Sequence, residues 1–441
     1  MLRDIVISHQ YHTKPRVLRR RGMKPDDDIH RKSPVYGLEV GLAPRRIAGL
    51  PLNLWRLAIV IGIAQFSMSI WTWQFGIFIA EIVEPWQMGL TFSLGTAAAI
   101  IGLPASGIVA DMIGRRRTFA VALIPMSVGL ICQYILPIWP LIPIFYGVIS
   151  FGWSFVIITA RAAPADQLVE DAGKDSAKVF TMMLFPALAV DGISPMLAAI
   201  MLSLGFEARF LLLIGGIGAV IAFISVFLFV RETLREDIQL AARKGPTLNF
   251  RQFGTNFWKL AAGLLVHYFA FNLAFPYLGN LAVDEWNISS SLYGFTWSAS
   301  SLTTAGLILL IGGLADKKLK LGLITALLGN SVIMLLLYSQ TGFISLLLIM
   351  ILWSVPLVLW IGAENSLIVE GVSEEMKGRA MSTFRVMMTS SGLIAANVGA
   401  WIWSTTNSLR FLWLIAGIVS VVSLLTVAVA LKSIRLSQAE S

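Results

Sequence analysis

The chain has 441 residues, a formal net charge of +9, and 56% apolar against only 13% charged side chains. An average soluble protein carries about 25% charged residues, and mean hydropathy here is +0.77; the lipid bilayer must therefore be the solvent for most of the chain. Soluble enzymes, nucleic-acid modules and disordered proteins are excluded, as is a disulfide scaffold, because Cys132 is the single cysteine.

Residues 1–50 carry Arg19, Arg20 and Arg21, then Asp26, Asp27 and Asp28, with no long apolar run. This composition predicts a disordered cytoplasmic tail. It lacks the apolar core of a signal peptide, and Met23 is an alternative start. The basic cluster suits anionic headgroups, or simply sets topology, better than it suits nucleic acid.

From Leu54 the apolar runs follow one another: 54–80, 88–110, 118–137, 140–162, 178–204, 209–230, 258–282, 291–314, 320–339, 343–365, 380–403 and 410–431. They are too long and too uniformly apolar for barrel strands, so the expectation is an all-α membrane protein of twelve transmembrane helices. Residues 51–232 and 258–441 form two six-helix halves. The charged segment 233–257, broken by Gly245-Pro246, links them as a solvated connection or a short surface helix.

With the N-terminus placed inside, 32 of the 34 Lys and Arg residues fall on the cytoplasmic side, and only Arg209 and Arg410 fall outside. That asymmetry predicts cytoplasmic termini in a multi-pass plasma-membrane protein. The two outer arginines open matching strings, RFLLLIGGI from Arg209 and RFLWLIAGI from Arg410, identical at seven of nine positions. Val169-Glu170 recurs as Val369-Glu370, and the Gly107-to-Asp111 spacing recurs as Gly312-to-Asp316. Offsets near 200 contain an even number of spans, so the halves are parallel copies. Proteins built this way hold substrate near the midplane, between the halves.

Residues 107–117 read GIVADMIGRRR. Gly107, Asp111, Gly114, Arg115, Arg116 and Arg117 resemble the signature loop of the major facilitator superfamily, although Met112 departs from it. The second copy, GGLADKKLK at 312–320, keeps Gly312, Asp316 and Lys317 and lacks the second glycine. Helix count, topology and duplication extend the resemblance across residues 51–432.

Physically, Gly107 permits close helix approach. Asp111 suits a helix end, and Arg115 suits pairing with Asp166 or Glu170 after the fourth run. By symmetry Asp316 faces Glu370 and Glu375. The resemblance implies that this network latches the cytoplasmic side. For Arg116 and Arg117 topology alone is the favoured explanation, and Arg209 and Arg410 are read as structural. Glu232-Thr233 resembles the acid-threonine ending of sugar and organic-acid porters, without their full proline-containing signature.

A charge within a span costs at least ~2.5–3.5 kcal/mol, which makes each one a functional candidate. Asp191 lies near mid-depth in the fifth run, flanked by Pro186 and Pro195. A poorly hydrated carboxylate there suits proton exchange or substrate contact; the alternative is an acid that fixes packing. His267 is the single histidine of the spans and reads more readily as a packing group than as a substrate or proton ligand. One histidine makes no metal site. Tyr268 and Asn272 share a face of the seventh run, and Trp353, Trp360 and Glu364 share a face of the tenth, with Glu364 near the inner end. Arg385 is expected to snorkel inward, or else to attract an anionic solute. The first run has no acid; Gln65, Ser69 and Trp73 recur every four residues and are expected to face the cavity, where an amide and an aromatic face suit sugars or zwitterions. Trp55, Trp86, Trp139 and Trp258 suit the bilayer interfaces.

No GxxxxGK[ST] or HExxH pattern and no nucleophile–base pair is visible. The expectation is therefore a non-enzymatic, cofactor-free and monomeric secondary transporter that moves a small-molecule substrate such as a sugar or organic acid, with proton coupling. The competing expectations are a multidrug-type efflux antiporter and a transport-inactive sensor with the same fold.

Overall fold

The computed structural model describes residues 46–47, 50–170, 176–232, 253–311, 319–369, 372 and 377–433. The predicted tail, apart from a two-residue hairpin (β1, Arg46–Ile47; β2, Leu50–Pro51), and most of the predicted linker lie outside the described residues.

The bilayer core offers no water to satisfy backbone amides, so the apolar runs close their hydrogen bonds internally as helices. The first half contains α1 (Leu52–Ser69), α2 (Phe75–Ala80), α3 (Pro85–Ile113), α4 (Arg115–Ile135), α5 (Leu141–Glu170), α6 (Ser176–Ser203) and α7 (Arg209–Phe229). The second contains α8 (Gly254–Ala274), α9 (Ser290–Ile311), α10 (Leu319–Ser339), α11 (Phe343–Val369), α12 (Lys377–Thr406) and α13 (Leu409–Ser433). Among the described residues, ten helices are long and apolar enough to cross a membrane. α1 is shorter, and α9 carries a dense run of Ser and Thr hydroxyls.

Two runs expected to be continuous are broken. The run at 54–80 parts into α1 and α2, because residues 70–74 tighten into three-residue turns: Gln74 N–H donates to the Trp71 carbonyl at 3.0 Å and Phe75 N–H to that of Thr72 at 3.4 Å. The Thr72 hydroxyl also donates to the Met68 carbonyl, a side-chain competitor for the helix ladder. In the run at 258–282, Pro276 lacks an amide donor, and Phe275–Tyr277, Leu278–Asn280 and Leu281–Glu285 follow α8 as short turns of differing pitch.

Counting α1 and α2 as one span, the first half packs in the order 2, 4, 3, 6, 1, 5, with each helix against the next. The second half packs in the order 8, 10, 9, 12, 7, 11. These orders are the same under a shift of six, so the sequence duplication is also a duplication of packing, and the fold is two pseudo-symmetric six-helix bundles. The bundles meet along two long seams, α6 against α9 and α3 against α12, and α2 also packs against the turns at 275–280.

Small residues make the seams tight. A Cβ built on Gly89 would lie 2.8 Å from Ala400 Cβ, and one on Gly192 2.4 Å from Leu302 Cδ2. The Ser93 hydroxyl donates to the Leu393 carbonyl at 2.8 Å, and Ser298 donates to the Gly192 carbonyl. These contacts lie in the middle of the seams and toward the end carrying Trp86, Trp139 and Glu285, called here the far end. At the opposite end, which carries the 107–117 loop, a Cβ on Gly107 or Gly306 would meet nothing within 4 Å. The close helix approach expected at Gly107 is therefore not seen among the described residues, which leave that end open around it.

Exposed side chains around the ring are largely aliphatic, among them Ile124, Ile221 and Leu310, as a surface facing lipid requires. Trp86 is exposed and stacks edge-on against Trp139 at the far end.

Candidate functional site: a carboxylate at the seam between bundles

α6 carries Asp191 fifteen residues from its start, about 22 Å at 1.5 Å per residue. The side chain is 5% exposed. α1 supplies its neighbours, since Gln65 and Ser69 fall one turn apart on the face packed against α6. Gln65 Nε2 donates to Asp191 Oδ1 at 2.8 Å and to Ser69 Oγ at 2.8 Å, and the Ser69 hydroxyl in turn donates to Asp191 Oδ1. Ser301, on α9 of the other bundle, also faces the carboxyl. A single acid thus gathers two neutral donors from α1 and a hydroxyl from α9, across the line between the bundles. Hydrogen bonds to an ionised acceptor are about twice as strong as neutral ones.

Gln65 and Trp73, expected at a cavity, have different surroundings. Gln65 is turned into the Asp191 cluster. Trp73, one turn beyond Ser69, is 4% exposed and packs against Gly294 and Tyr293 of α9 on the far-end side of the acid.

A second cluster lies within the other bundle. Tyr268 (α8) donates to Glu364 Oε1 at 2.8 Å, and Trp360 Nε1 donates to Glu364 Oε2. Arg385 (α12) pairs with Glu364 Oε1 at 3.5 Å and donates to the Tyr268 hydroxyl at 3.3 Å. The expected snorkelling of Arg385 is corrected here: its side chain is 16% exposed, and the charge it reaches is a buried carboxylate, not a headgroup. Asn272, one turn from Tyr268, donates to Ser391 at 3.0 Å.

His267 is fully buried and wired end to end. Asn330 Nδ2 approaches Nε2 at 3.2 Å, Ser420 Oγ lies 3.1 Å from Nδ1, and Ser331 Oγ lies 2.7 Å from Ser420 Oγ. Ser331 donates onward to the Leu327 carbonyl, and Trp353 Nε1 donates to Asn330 Oδ1. With one proton, on Nδ1, every donor in this chain finds an acceptor. The histidine faces α10 and α13, inside its own bundle, as a packing group does.

The 107–117 loop has an unforeseen partner. Glu232, just past α7, receives the Arg115 N–H at 2.7 Å on Oε1 and the Arg116 N–H at 3.3 Å on Oε2. It therefore caps the start of α4, the role expected of Asp111. Asp111 instead pairs with Arg115 Nη1 at 2.7 Å, across the Gly114 break between α3 and α4. Arg116 donates to the Phe227 carbonyl at 2.6 Å and lies over the Phe227 ring, so it binds α7. Gly114 has φ +95°, and a Cβ there would lie 2.3 Å from Glu232 Oε2; only glycine fits. Asp166 and Glu170 lie on α5, but their side chains are outside the described set; Gly312, Asp316 and Glu370 lie outside the described residues altogether.

Sequence reasoning missed Ser301, the capping role of Glu232, and Asn330 and Ser420 as the partners of His267. The signal for Ser301 was present, since SASSLTT packs five hydroxyls into seven residues of a span.

Two six-helix bundles, repeated in packing order and joined at a buried polar cluster, define a polytopic membrane protein of the transporter class. The chain belongs to the Major Facilitator Superfamily, whose family model matches residues 57–396. No match is found among the curated proteins. Among solved structures, the nucleoside transporter NupG is similar with a TM-score of 0.69 at 15% identity, covering 87% of this chain and 100% of its own. A bacterial homologue of the human lysosomal transporter Spinster, in an inward-facing and occupied conformation, gives a TM-score of 0.66 at 14% identity over 88% and 98%. The human organic anion transporter MFSD10 gives 0.58 at 16% over 86% and 100%.

Proposed function

We propose that this chain is a secondary active transporter that moves a small organic solute, such as a sugar, organic acid or similar metabolite, by alternating access, with Asp191 as the proton-binding group. The observation that carries the reading is the Asp191 cluster itself. A carboxylate held by Gln65 and Ser69 from one bundle and Ser301 from the other senses both its own charge and the relative position of the bundles. Protonation removes an acceptor from the seam, and rocking of the bundles removes a donor from the acid, so the two events are linked.

The parted bundles at the loop end and the packed seam at the far end fit one of the two access states. The positive-inside count favours the loop end as the cytoplasmic one, with both termini inside and the plasma membrane as the location. We read residues 51–232 and 258–441 as the moving halves of a monomer, without enzymatic activity. Nucleosides and organic anions, named for two structural relatives, are small polar organic solutes, in keeping with the substrate class.

The test is uptake into proteoliposomes with and without an imposed pH gradient. Wild type accumulates its solute only with the gradient. Asp191→Asn, a mimic of the protonated acid, retains binding and exchange but loses accumulation. Gradient-independent uptake by wild type removes proton coupling from the reading. Ligand binding without flux indicates a sensor, and outward flux of lipophilic compounds indicates an efflux antiporter.

A further inference from the structure

Contacts between α3 and α12 run inward from the far end, from Gly89 against Ala400, through Ser93 against Leu393, to Thr96 against Gly392. A Cβ built on Gly392 would lie 3.3 Å from Thr96 Oγ1 and 3.6 Å from Asn272 Cγ, so α3, α8 and α12 converge there. Arg385 stands at i−7 from Gly392, on the same face of α12. It is about 10 Å nearer the loop end at 1.5 Å per residue. That places it between the last of these contacts and the open level of Gly107.

The Glu364–Arg385 pair is built unevenly. Glu364 is anchored by neutral donors, Tyr268 to Oε1 at 2.8 Å and Trp360 to Oε2. Arg385 lies 3.5 Å from Oε1, where charge-assisted pairs close to about 2.7–2.9 Å. The acid is 2% exposed and the arginine 16%, so the cation stands between the acid and the opening. A solute carboxylate can face the planar guanidinium, whose geometry matches it, while Glu364 keeps Tyr268 and Trp360. An ammonium would meet Arg385 before it reached Glu364. Two turns toward the far end, Thr96, Asn272 and Ser391 supply hydroxyl and amide groups, with Asn272 donating to Ser391 at 3.0 Å.

We propose that Arg385 is the carboxylate-binding group of the solute site, and that the solute is a polyhydroxylated monocarboxylate. Its carboxylate sits against Arg385 and its hydroxyls reach Asn272 and Thr96, so one solute touches both bundles. This rests on the transporter reading above and narrows its solute class.

The test uses the full chain in lipid nanodiscs and three probes on one six-carbon chain: gluconate, glucitol and glucamine, which carry a carboxylate, an alcohol and an ammonium at carbon 1. Saturation-transfer NMR is expected to show saturable binding of gluconate alone. Arg385→Gln combined with Glu364→Gln, which strands neither charge, should weaken gluconate binding at least tenfold. Thr96→Val is nearly isosteric, and the hydroxyl it removes bonds only its own helix at Phe92 among the described residues; it should weaken gluconate several-fold with the melting temperature kept. Equilibrium binding needs neither gradient nor flux. Gluconate bound by a protein whose uptake ignores a pH gradient therefore still supports the site, whereas gradient-driven uptake of another solute without gluconate binding overturns it. Equal binding of the three probes, no saturable binding of gluconate, or full affinity in either variant would each overturn the proposal.

Discussion

The Trp73 indole lies against Gly294 so closely that a Cβ built on the glycine would sit 2.6 Å from Cη2. The contact joins the two bundles on the far-end side of Asp191.

Gly294→Val should therefore act as a wedge. The new methyl groups displace the indole, and the closed far end loses population to states in which α6 and α9 separate. In a Cys132→Ser background with Ser298→Cys, a membrane-impermeant maleimide added from the far side should react several-fold faster in the Val variant. An unchanged rate would show that Trp73 does not govern far-side access.

At the 107–117 loop, Gly114→Ala forces alanine into a positive-φ extended backbone that is essentially glycine-only, at about 1–3 kcal/mol, and drives a methyl group into Glu232. Uptake should fall sharply. Glu232→Ala should cost about 1 kcal/mol by uncapping α4, seen as a lower melting temperature. Asp111→Asn and Arg115→Ala should reduce uptake strongly with expression retained. Normal uptake in both would remove the loop from the transport cycle.

The Glu364–Arg385 pair should show the asymmetry of buried ion pairs. Glu364→Gln removes the buried carboxylate that pairs with Arg385 and should destabilise the protein by about 3–5 kcal/mol. Adding Arg385→Gln should restore part of that loss. Thermal unfolding of the single and double variants gives the coupling; additive losses would mean that the pair is not energetically joined.

For His267, His267→Leu leaves Asn330 Nδ2 without its acceptor and Ser420 without its donor, at about 1–3 kcal/mol for each stranded group. The melting temperature should fall while the pH profile of uptake keeps its shape. A displaced profile would return the histidine to the proton pathway.

Much of this architecture was legible in the residues, for reasons that can be named. Strings repeated at an offset of 201 specify equivalent helices, and equivalent helices pack equivalently. Asp191 stood out because a charge inside an apolar run has no innocent explanation on cost. Ser301 did not, because a serine in a helix normally satisfies itself on its own backbone, and nothing local separates that serine from one bonded across a seam. The break at residues 70–74 was hidden because Ile70, Trp71 and Trp73 keep the run apolar while the hydrogen bonds change pitch. Glu232 was noticed for its resemblance, but its role as a cap depends on Gly114, more than a hundred residues away.

Among the described residues the long contacts between bundles run along two seams, and this sorts mutations into two kinds. A substitution between neighbours of one bundle, such as α10 with α13, touches contacts that both access states keep, so it should register as heat sensitivity or poor yield. A substitution along α6–α9 or α3–α12 touches contacts that one state has and the other lacks. It should leave melting nearly unchanged and appear instead as a bias in which side of the membrane the protein faces at rest. A random library scored for both properties would trace the two seams without a structure.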